Sequence, residues 1–430
     1  MITLTTLLSV SALAVEENTV MTVYTKDLDE ELYKEFDNFE DGWVFLMENY
    51  ATYFDDFDVK LYADWVAPGG KFYYTNAEDD EVGTDNGRLA VGFSLFNEGG
   101  SHNHNQINID LNGHKIDRNL KAPTENGQVF YIKNGTIRIF DFSEAQTGMI
   151  TGANNDGDGG AFYVYDGSLY IEGGEITGNY AENGAGIYWY SDNNLCITGG
   201  KITGNIAVEN GGGIYHDGGG AFGGGTDNVY FGGYMLITEN TGANGAPNNL
   251  YLANDSVFLN HAYGQDDDIP YRTLSDDTVI GISSSVMGGL ISGDDSCFDV
   301  DDYKCFVMGN KEYYIRVECD AAGENNAYKL YIDSIKNMPD HETEFKIVNY
   351  NEQTKEATVF VPEEGKYSPV FADYENDQLE NMDIVEYEFK EGINVVLQEV
   401  TSFTLASGDK VMLWYDMINL IPVCEALTVK

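Results

Sequence analysis

A phrase that recurs between residues 127 and 254 constrains the fold more than any other feature of this chain. Most copies begin with a glycine-rich run, and all of them continue with an apolar residue followed by tyrosine. Aligned, they read Gly127-Gln-Val-Phe-Tyr-Ile, Gly159-Gly-Ala-Phe-Tyr-Val, Gly184-Ala-Gly-Ile-Tyr-Trp, Gly211-Gly-Gly-Ile-Tyr-His and Asn249-Leu-Tyr-Leu. Successive copies are a few tens of residues apart, as between Ile187 and Ile214. A repeat of about this length is one supersecondary unit, which buries its apolar face by stacking on its neighbours.

Within each unit the residues alternate as they do in β-strands. Thr136-Ile-Arg-Ile, Ser168-Leu-Tyr-Ile and Asn194-Leu-Cys-Ile each place two aliphatic side chains on one face and a different side chain on the other. Gly, Asn and Asp separate these short runs, as expected for turns. The sequence therefore predicts an all-β fold built of stacked coils, a right-handed parallel β-helix solenoid.

A second phrase follows the first and ends in asparagine. It reads Ile176-Thr-Gly-Asn, Ile202-Thr-Gly-Asn and Ile237-Thr-Glu-Asn. A side-chain amide at a coil turn can donate to one neighbouring coil and accept from the other, which satisfies backbone groups close to the core. We therefore expect Asn179, Asn205 and Asn240 to stack for a structural reason.

The motifs resemble those of a known family. Gly159-Gly-Ala-Phe and Gly211-Gly-Gly-Ile resemble the glycine-glycine-alanine-isoleucine tetrapeptide of polymorphic outer membrane protein repeats, and residues 110–116 resemble the first turn of bacterial surface β-helices. That family's second tetrapeptide, phenylalanine-x-x-asparagine, is replaced here by Ile-Thr-Gly-Asn. The resemblance covers roughly residues 100–300 and implies a parallel β-helix and a surface location, without an autotransporter mechanism.

The 430 residues divide by composition into four segments. Residues 1–14 are apolar and end in Ala-Leu-Ala, which is typical of a signal peptide although no basic stretch precedes it. Residues 15–100 are expected to form an N-terminal helical cap, residues 101–338 the parallel β-helix, and residues 339–430 a small antiparallel β-sandwich-like domain. An extracellular or cell-surface location follows from this organisation.

The charge of the chain limits its partners. Seventy-two acidic residues against 23 basic ones give a formal charge of −49, which repels nucleic acids and anionic membrane surfaces. No segment after the leader has the roughly 18 apolar residues that a membrane-spanning helix requires. The remaining partners are polysaccharides and surface proteins.

One tyrosine per repeat stands at the same position, and this set is the candidate ligand-binding site. If the flanking apolar residues point inward, the tyrosines point outward and follow one another about 4.8 Å apart. The alternatives are that they pack against the N-terminal segment, or that the register is inverted and they belong to the core. We call this set the tyrosine column: Tyr131, Tyr163, Tyr188, Tyr215 and Tyr251.

A candidate Ca²⁺ site lies in the segment before the second copy of the phrase. Asn154, Asp156 and Asp158 provide oxygen ligands at alternating positions before a glycine, as in the first half of a calcium loop. The acidic residue that normally closes such a loop is absent, because Tyr165 occupies its place. Calcium is the cofactor that the sequence favours, ahead of a zinc pair at His102 and His104, for which a solvated loop is the better interpretation.

Function follows less directly than fold. A non-catalytic adhesin that binds glycan or protein accounts for the repeat, while the alternative is a polysaccharide lyase or glycoside hydrolase on a β-helix. Polysaccharide lyases depend on Arg or Lys bases, and the small number of arginines in this chain counts against that activity. The chain has only five: 88, 118, 138, 272 and 316. The polygalacturonase pattern also fails, since His114 is followed by Lys115. The many acids leave a carboxylate pair open, but non-catalytic binding is the favoured prediction.

Overall fold

A computed structural model gives the structure of the chain. It describes a series of segments separated by gaps, and the predicted signal peptide at 1–14 lies outside them. The described residues are 15–27, 30–50, 56–70, 84–85, 88–91, 106–218, 229–253, 259–260, 273–283, 292, 302–310, 313–319, 328–334, 346–351, 355–361, 365–375, 378–385, 387–389, 392–398, 403–406, 408–416, 421–422 and 426–429. The chain forms two compact units, Met1–Asp333 and Ser334–Lys430.

The first unit is dominated by a large, curled, mostly parallel sheet, compatible with the predicted β-helix. Each coil contributes short strands to three faces, and each strand pairs in parallel with its equivalent in the next coil. The first face contains Arg88–Val91, Phe130–Phe140, Phe162–Ile171, Ile187–Trp189, Ile214–His216 and Leu250–Leu252. The second contains Phe57–Leu61, Gln106–Asp110, the later parts of the two long strands just named, Leu195–Ile197, Val229–Phe231 and Leu259–Asn260. The third contains Trp65–Val66, Lys115–Asp117, Met149–Thr151, Glu175–Thr177, Lys201–Thr203, Leu236–Ile237, Val279–Ile282 and Phe306–Met308.

Smaller elements complete the first unit. A narrow parallel sheet at one corner consists of Tyr180–Ala181, Ile206–Ala207 and Thr241–Gly242. The others are a strand at Thr84–Asp85, two 3-10 turns, Pro68–Gly70 and Asp302–Cys305, and a paired set, Tyr313–Cys319 and Tyr328–Ser334. The strands therefore meet at corners, as the Gly- and Asn-rich punctuation predicted.

The N-terminal segment joins this stack directly. Met21–Asp27 pairs antiparallel with Glu30–Phe36 and with Phe57–Leu61, and Phe57–Leu61 then pairs in parallel with Gln106–Asp110. The parallel stacking thus begins within the segment 15–100 that was expected to be a cap. The reason is that Phe57, Val59 and Leu61 alternate as inward side chains, like those of the later coils.

The one α-helix among the described residues, α1, spans Phe39–Tyr50. Asn38 caps it, because its side-chain oxygen accepts from the Asp41 backbone N–H at 2.8 Å. Its apolar side packs on the stack: the Phe39 and Trp65 rings lie 4.6 Å apart, and the Trp43 and Phe130 rings 5.9 Å apart. The helix predicted for this segment is confirmed. One of its contacts is Phe130, the buried residue that precedes the first tyrosine of the repeated phrase.

The core follows the predicted alternation. The inward positions of successive coils are fully or almost fully buried, and Phe130 stacks on Phe162 at 5.1 Å. Burial of these columns, at about 25 cal/mol per Å² of apolar surface, provides the main stabilisation of the stack. The side chains concerned include Phe130, Phe162, Ile187, Ile214 and Leu250 on the first face and Ile137, Leu169, Leu195 and Val229 on the second.

The predicted asparagine stack is present. The Asn179 amide donates to Asn205 Oδ1 at 3.0 Å, Asn205 donates to Asn240 at 3.0 Å, and Asn240 donates to Asn249 at 3.0 Å. The same oxygens accept from backbone N–H groups of the preceding coil, as Asn205 Oδ1 does from Asn179 at 3.1 Å. These four residues, which we call the asparagine ladder, are all buried. Their side chains hydrogen-bond successive coils to one another at a corner that lies outside the strands.

The second unit is antiparallel throughout its described pairings. Its strands are Lys346–Asn351, Glu356–Val361, Gly365–Glu375, Gln378–Ile384, Tyr387–Phe389, Gly392–Leu397, Lys410–Asp416, Ile421–Pro422 and Leu427–Thr428. They form a three-stranded and a six-stranded sheet with a separate hydrophobic core that includes Val359, Phe371 and Leu413. The change from parallel to antiparallel pairing agrees with the change of pattern in the sequence.

Candidate functional site

The tyrosine column occupies the first face in continuous register. Tyr131 pairs with Tyr163, Tyr163 with Tyr188, Tyr188 with Tyr215, and Tyr215 with Tyr251. The residues on either side of each tyrosine are buried, whereas the five tyrosines are half-buried. The outward orientation is therefore as predicted, and the inverted register is wrong.

The rings stack on one another. Their centroids lie 5.6 Å apart for Tyr131 and Tyr163, then 5.1, 5.2 and 5.4 Å apart along the rest of the column. The last three pairs are parallel to within 9°, which is an offset-stacked arrangement. The faces of the inner rings are thus largely covered by the neighbouring rings of the column. The site is a ridge of phenols rather than the open aromatic platform that the sequence suggested.

The glycines of the repeated phrase make room for this column. Gly159, Gly184 and Gly211 have φ of +73°, +61° and +64°, a region that other residues rarely adopt. A Cβ on Gly184 would lie 2.8 Å from the Tyr188 Cβ. The turn at each glycine therefore lies against the backbone or Cβ of the tyrosine four residues later. This contact explains why the glycine and the tyrosine recur together.

A shorter aromatic column lies beside the first, two positions further along the chain. Tyr165 and Tyr190 are half-buried, and their rings are 5.7 Å apart. In the preceding coil, Lys133 pairs with Asp166 across a shift of register, and its ammonium lies 5.8 Å from the centre of the Tyr165 ring. In the following coil the position is Asp217, whose N–H donates to Trp189 O at 3.2 Å. Sequence reasoning missed this column, although its tyrosines recur two residues after those of the first.

Two carboxylates lie close to the centre of the tyrosine column. Burial raises the pKa of Tyr188, and Asp158 and Asp217 raise it further. Burial, followed by Asp217, raises the pKa of Tyr215 to about 12. These phenols are therefore protonated at neutral pH and can donate hydrogen bonds.

Asp217 is itself perturbed by its surroundings. Burial raises its pKa and the neighbouring charge of Asp158 adds to that effect, while a hydrogen bond from Tyr215 opposes it. Asp158 and Asp217 are 59 positions apart in sequence, so no local motif links them. The coil stacking alone brings these two acids together on one face.

The predicted calcium ligands have different surroundings. Asp156 is exposed, whereas Asp158 is half-buried and its Oδ1 accepts from the Asn183 amide at 2.9 Å. Asn154 is half-buried, and its backbone O accepts from Thr124 at 3.0 Å. Within the described segments, no group of three or more His, Cys, Asp or Glu side chains could hold a metal ion. Calcium binding at these residues stays a prediction.

Comparison with known proteins adds no relative. No protein-family model, curated protein or solved structure matches the chain. The likeness to polymorphic outer membrane protein repeats therefore rests on the quoted motifs alone. In the part of the chain that the structure describes, no helix is long and apolar enough to cross a membrane.

Proposed function

We propose that this chain is a secreted or cell-surface, non-catalytic protein whose right-handed parallel β-helix binds glycan or protein through the tyrosine column. In this proposal, helix α1 closes the N-terminal end of the solenoid, and the antiparallel unit is a small β-sandwich-like domain. The observation that supports binding is the unbroken row of five half-buried tyrosines in register.

Coil stacking explains the inward aliphatic residues, the turn glycines and the asparagine ladder, but it does not require tyrosine outside. Most outward positions of a solenoid tolerate any polar residue, so five identical, half-buried aromatic side chains in a row form an outer surface of a kind associated with binding. The adjacent Asp158 and Asp217 add acceptors to this row of donors. Such a mixture suits a ligand that carries many hydroxyl or amide groups.

The test removes the hydroxyl groups of two tyrosines in the column and keeps their stacked rings. The double variant Tyr188→Phe/Tyr215→Phe preserves ring stacking, so its melting temperature should stay close to that of the parent, and its retention on a glycan array or a panel of surface proteins should fall. The matched control is Tyr234→Phe, an exposed tyrosine outside the column. Equal retention by the double variant and the parent would contradict the proposal.

The enzymatic alternative is tested separately, because Asp158 and Asp217 are neighbouring carboxyl groups and burial raises the pKa of Asp217. Glycoside hydrolysis uses two carboxyl groups that face the same bond, one as acid and one as base or nucleophile. We expect no turnover of polysaccharides, with or without calcium. Hydrolysis that is abolished in Asp217→Asn would replace binding by catalysis as the function of this face.

A further inference from the structure

The tyrosine column is a linear array, and its geometry restricts the ligand further. One phenol is presented per coil, with ring centroids 5.1 to 5.6 Å apart over five coils. An array of identical donors at a constant interval gains most from a ligand that repeats at the same interval, since each further unit then binds without further loss of translational freedom.

Among biological polymers, extended β-1,4-linked pyranose chains meet this condition. Each sugar advances such a chain by close to the distance between successive ring centroids of the column. Successive sugars turn over, but both edges of every ring carry oxygen atoms that can accept from a phenol. An α-1,4-linked chain of the same sugar curves away from a straight row and loses the match after a few residues.

The charged groups beside the tyrosine column restrict which β-1,4-linked polysaccharides fit. The carboxyl groups of Asp158 and Asp217 beside the column can accept hydrogen bonds from sugar hydroxyls or amino groups, and their negative charge would repel carboxylates and sulfates. Glu209 also contributes negative charge near Tyr215, and the chain as a whole carries −49. Lys133 is the cation at the other end of the second column. Uronate and sulfated polymers therefore do not fit the centre of this face.

We propose that the tyrosine column binds an extended, uncharged or amino-bearing β-1,4-linked polysaccharide that lies along the solenoid axis with one sugar per coil. This inference rests on the proposed function and deepens it by naming the ligand class. On binding, the phenol hydroxyls donate to the sugar oxygens, with Tyr215 exchanging its hydrogen bond to Asp217 for one to the sugar, and the two carboxylates receive the sugar hydroxyls at the centre of the row.

The test uses two hexasaccharides of identical composition, cellohexaose (β-1,4) and maltohexaose (α-1,4), titrated calorimetrically into the full chain. We expect cellohexaose to bind about tenfold more tightly, and its affinity to rise with each unit from the disaccharide to the pentasaccharide before levelling. Tyr188→Phe/Tyr215→Phe should reduce that affinity by about tenfold, because two donors are lost from the middle of the row. Tyr234→Phe should leave it unchanged.

The outcomes separate this inference from the general one. Equal binding of the two hexasaccharides, or an affinity that does not depend on length, would overturn the one-sugar-per-coil arrangement. If the array or panel still identifies a ligand whose retention requires Tyr188 and Tyr215, the proposed function stands and only the ligand class is wrong. Binding that requires neither tyrosine would overturn both.

Discussion

At the scale of single residues, the asparagine ladder shows how one side chain stabilises two coils. Asn205 is fully buried, and its amide donates to Ile176 O and Thr203 O as well as to Asn240. Its oxygen accepts from the preceding residue of the ladder, Asn179. All of these bonds except the one to Thr203 O are buried, so their partners lose a hydrogen bond that water cannot replace if the amide is removed.

Replacement of Asn205 by alanine should therefore be costly. We expect Asn205→Ala to lower the free energy of unfolding by about 3 kcal/mol, because several buried backbone and amide groups lose a partner at once. Urea denaturation measures this. Asn193→Ala, at an exposed position of the same coil, is the control and should cost below about 1 kcal/mol; a similar cost for both would contradict a structural role of the ladder.

A buried acid gives the molecule a pH dependence that can be traced to one residue. Burial, together with the charge of Asp56, raises the pKa of Asp58 from 3.8 to about 6, although the Asn108 amide donates to it at 2.8 Å and opposes the shift. The folded state therefore holds a proton on Asp58 that the unfolded chain releases between pH 4 and 6. Stability from this group is full below pH 4 and is lost as the pH rises through 6.

The corresponding variant is Asp58→Asn, which keeps an acceptor for Asn108 but carries no charge. Between pH 4 and pH 7, the parent should lose about 2 kcal/mol of unfolding free energy more than the variant does. Urea denaturation at both pH values provides the measurement. Asp156→Asn, at an exposed carboxylate, should follow the parent, and parallel pH profiles for parent and Asp58→Asn would refute the assignment.

At the scale of elements, the coils approach one another so closely that some backbone positions admit only glycine. A Cβ on Gly186 would lie 2.3 Å from Gly213 O in the next coil. By contrast, the nearest atom to a Cβ on Gly157 is 3.7 Å away. The repeated glycines are therefore part of the stacking itself, apart from their role in turns.

These two glycines make a matched pair of variants. Gly186→Ala should destabilise the protein by about 2 kcal/mol or more, because the coils must move apart or the backbone must distort. Gly157→Ala should change stability by less than about 1 kcal/mol. Thermal denaturation of both variants tests the comparison, and a tolerated Gly186→Ala would show that the coils are packed less tightly than described.

Much of the element level could be predicted from the sequence, and the exceptions have clear causes. Strand alternation and turn residues are local, so the parallel coils, the helix and the antiparallel C-terminal strands were all foreseen. The extension of the stack to Phe57–Leu61 was missed because that strand pairs with Gln106–Asp110, far along the chain and outside any repeat. Asn249 was not foreseen in the ladder, since it lacks the preceding Ile-Thr-Gly.

At the scale of the whole molecule, the formal charge of −49 is the dominant electrostatic fact. Repulsion among carboxylates destabilises the compact state, and dissolved salt screens it over about 10 Å at 0.1 M. A specific calcium site would add stability beyond screening, through binding to the folded state alone. The predicted ligands Asn154, Asp156 and Asp158 provide the position to test.

Melting temperatures in CaCl2 and MgCl2 at equal ionic strength separate the two effects. If the site exists, calcium should raise the melting temperature more than magnesium does, because the larger ion accepts irregular oxygen ligands. The difference should disappear in Asp158→Asn and persist in Asp192→Asn, an acid of the same solenoid outside the predicted loop. Identical shifts with both cations would leave screening as the whole explanation.

The sequence alone determined that this chain stacks coils, because glycine, aliphatic and asparagine periodicities record contacts that recur in every repeat. It also placed the tyrosine column on the outer face, since strand alternation is a local property. Only the tertiary structure decided how the rings use their faces and which acids stand beside them. Offset stacking of Tyr188 on Tyr215 and the meeting of Asp158 with Asp217 depend on the distance between coils. Residues far apart in the chain set that distance.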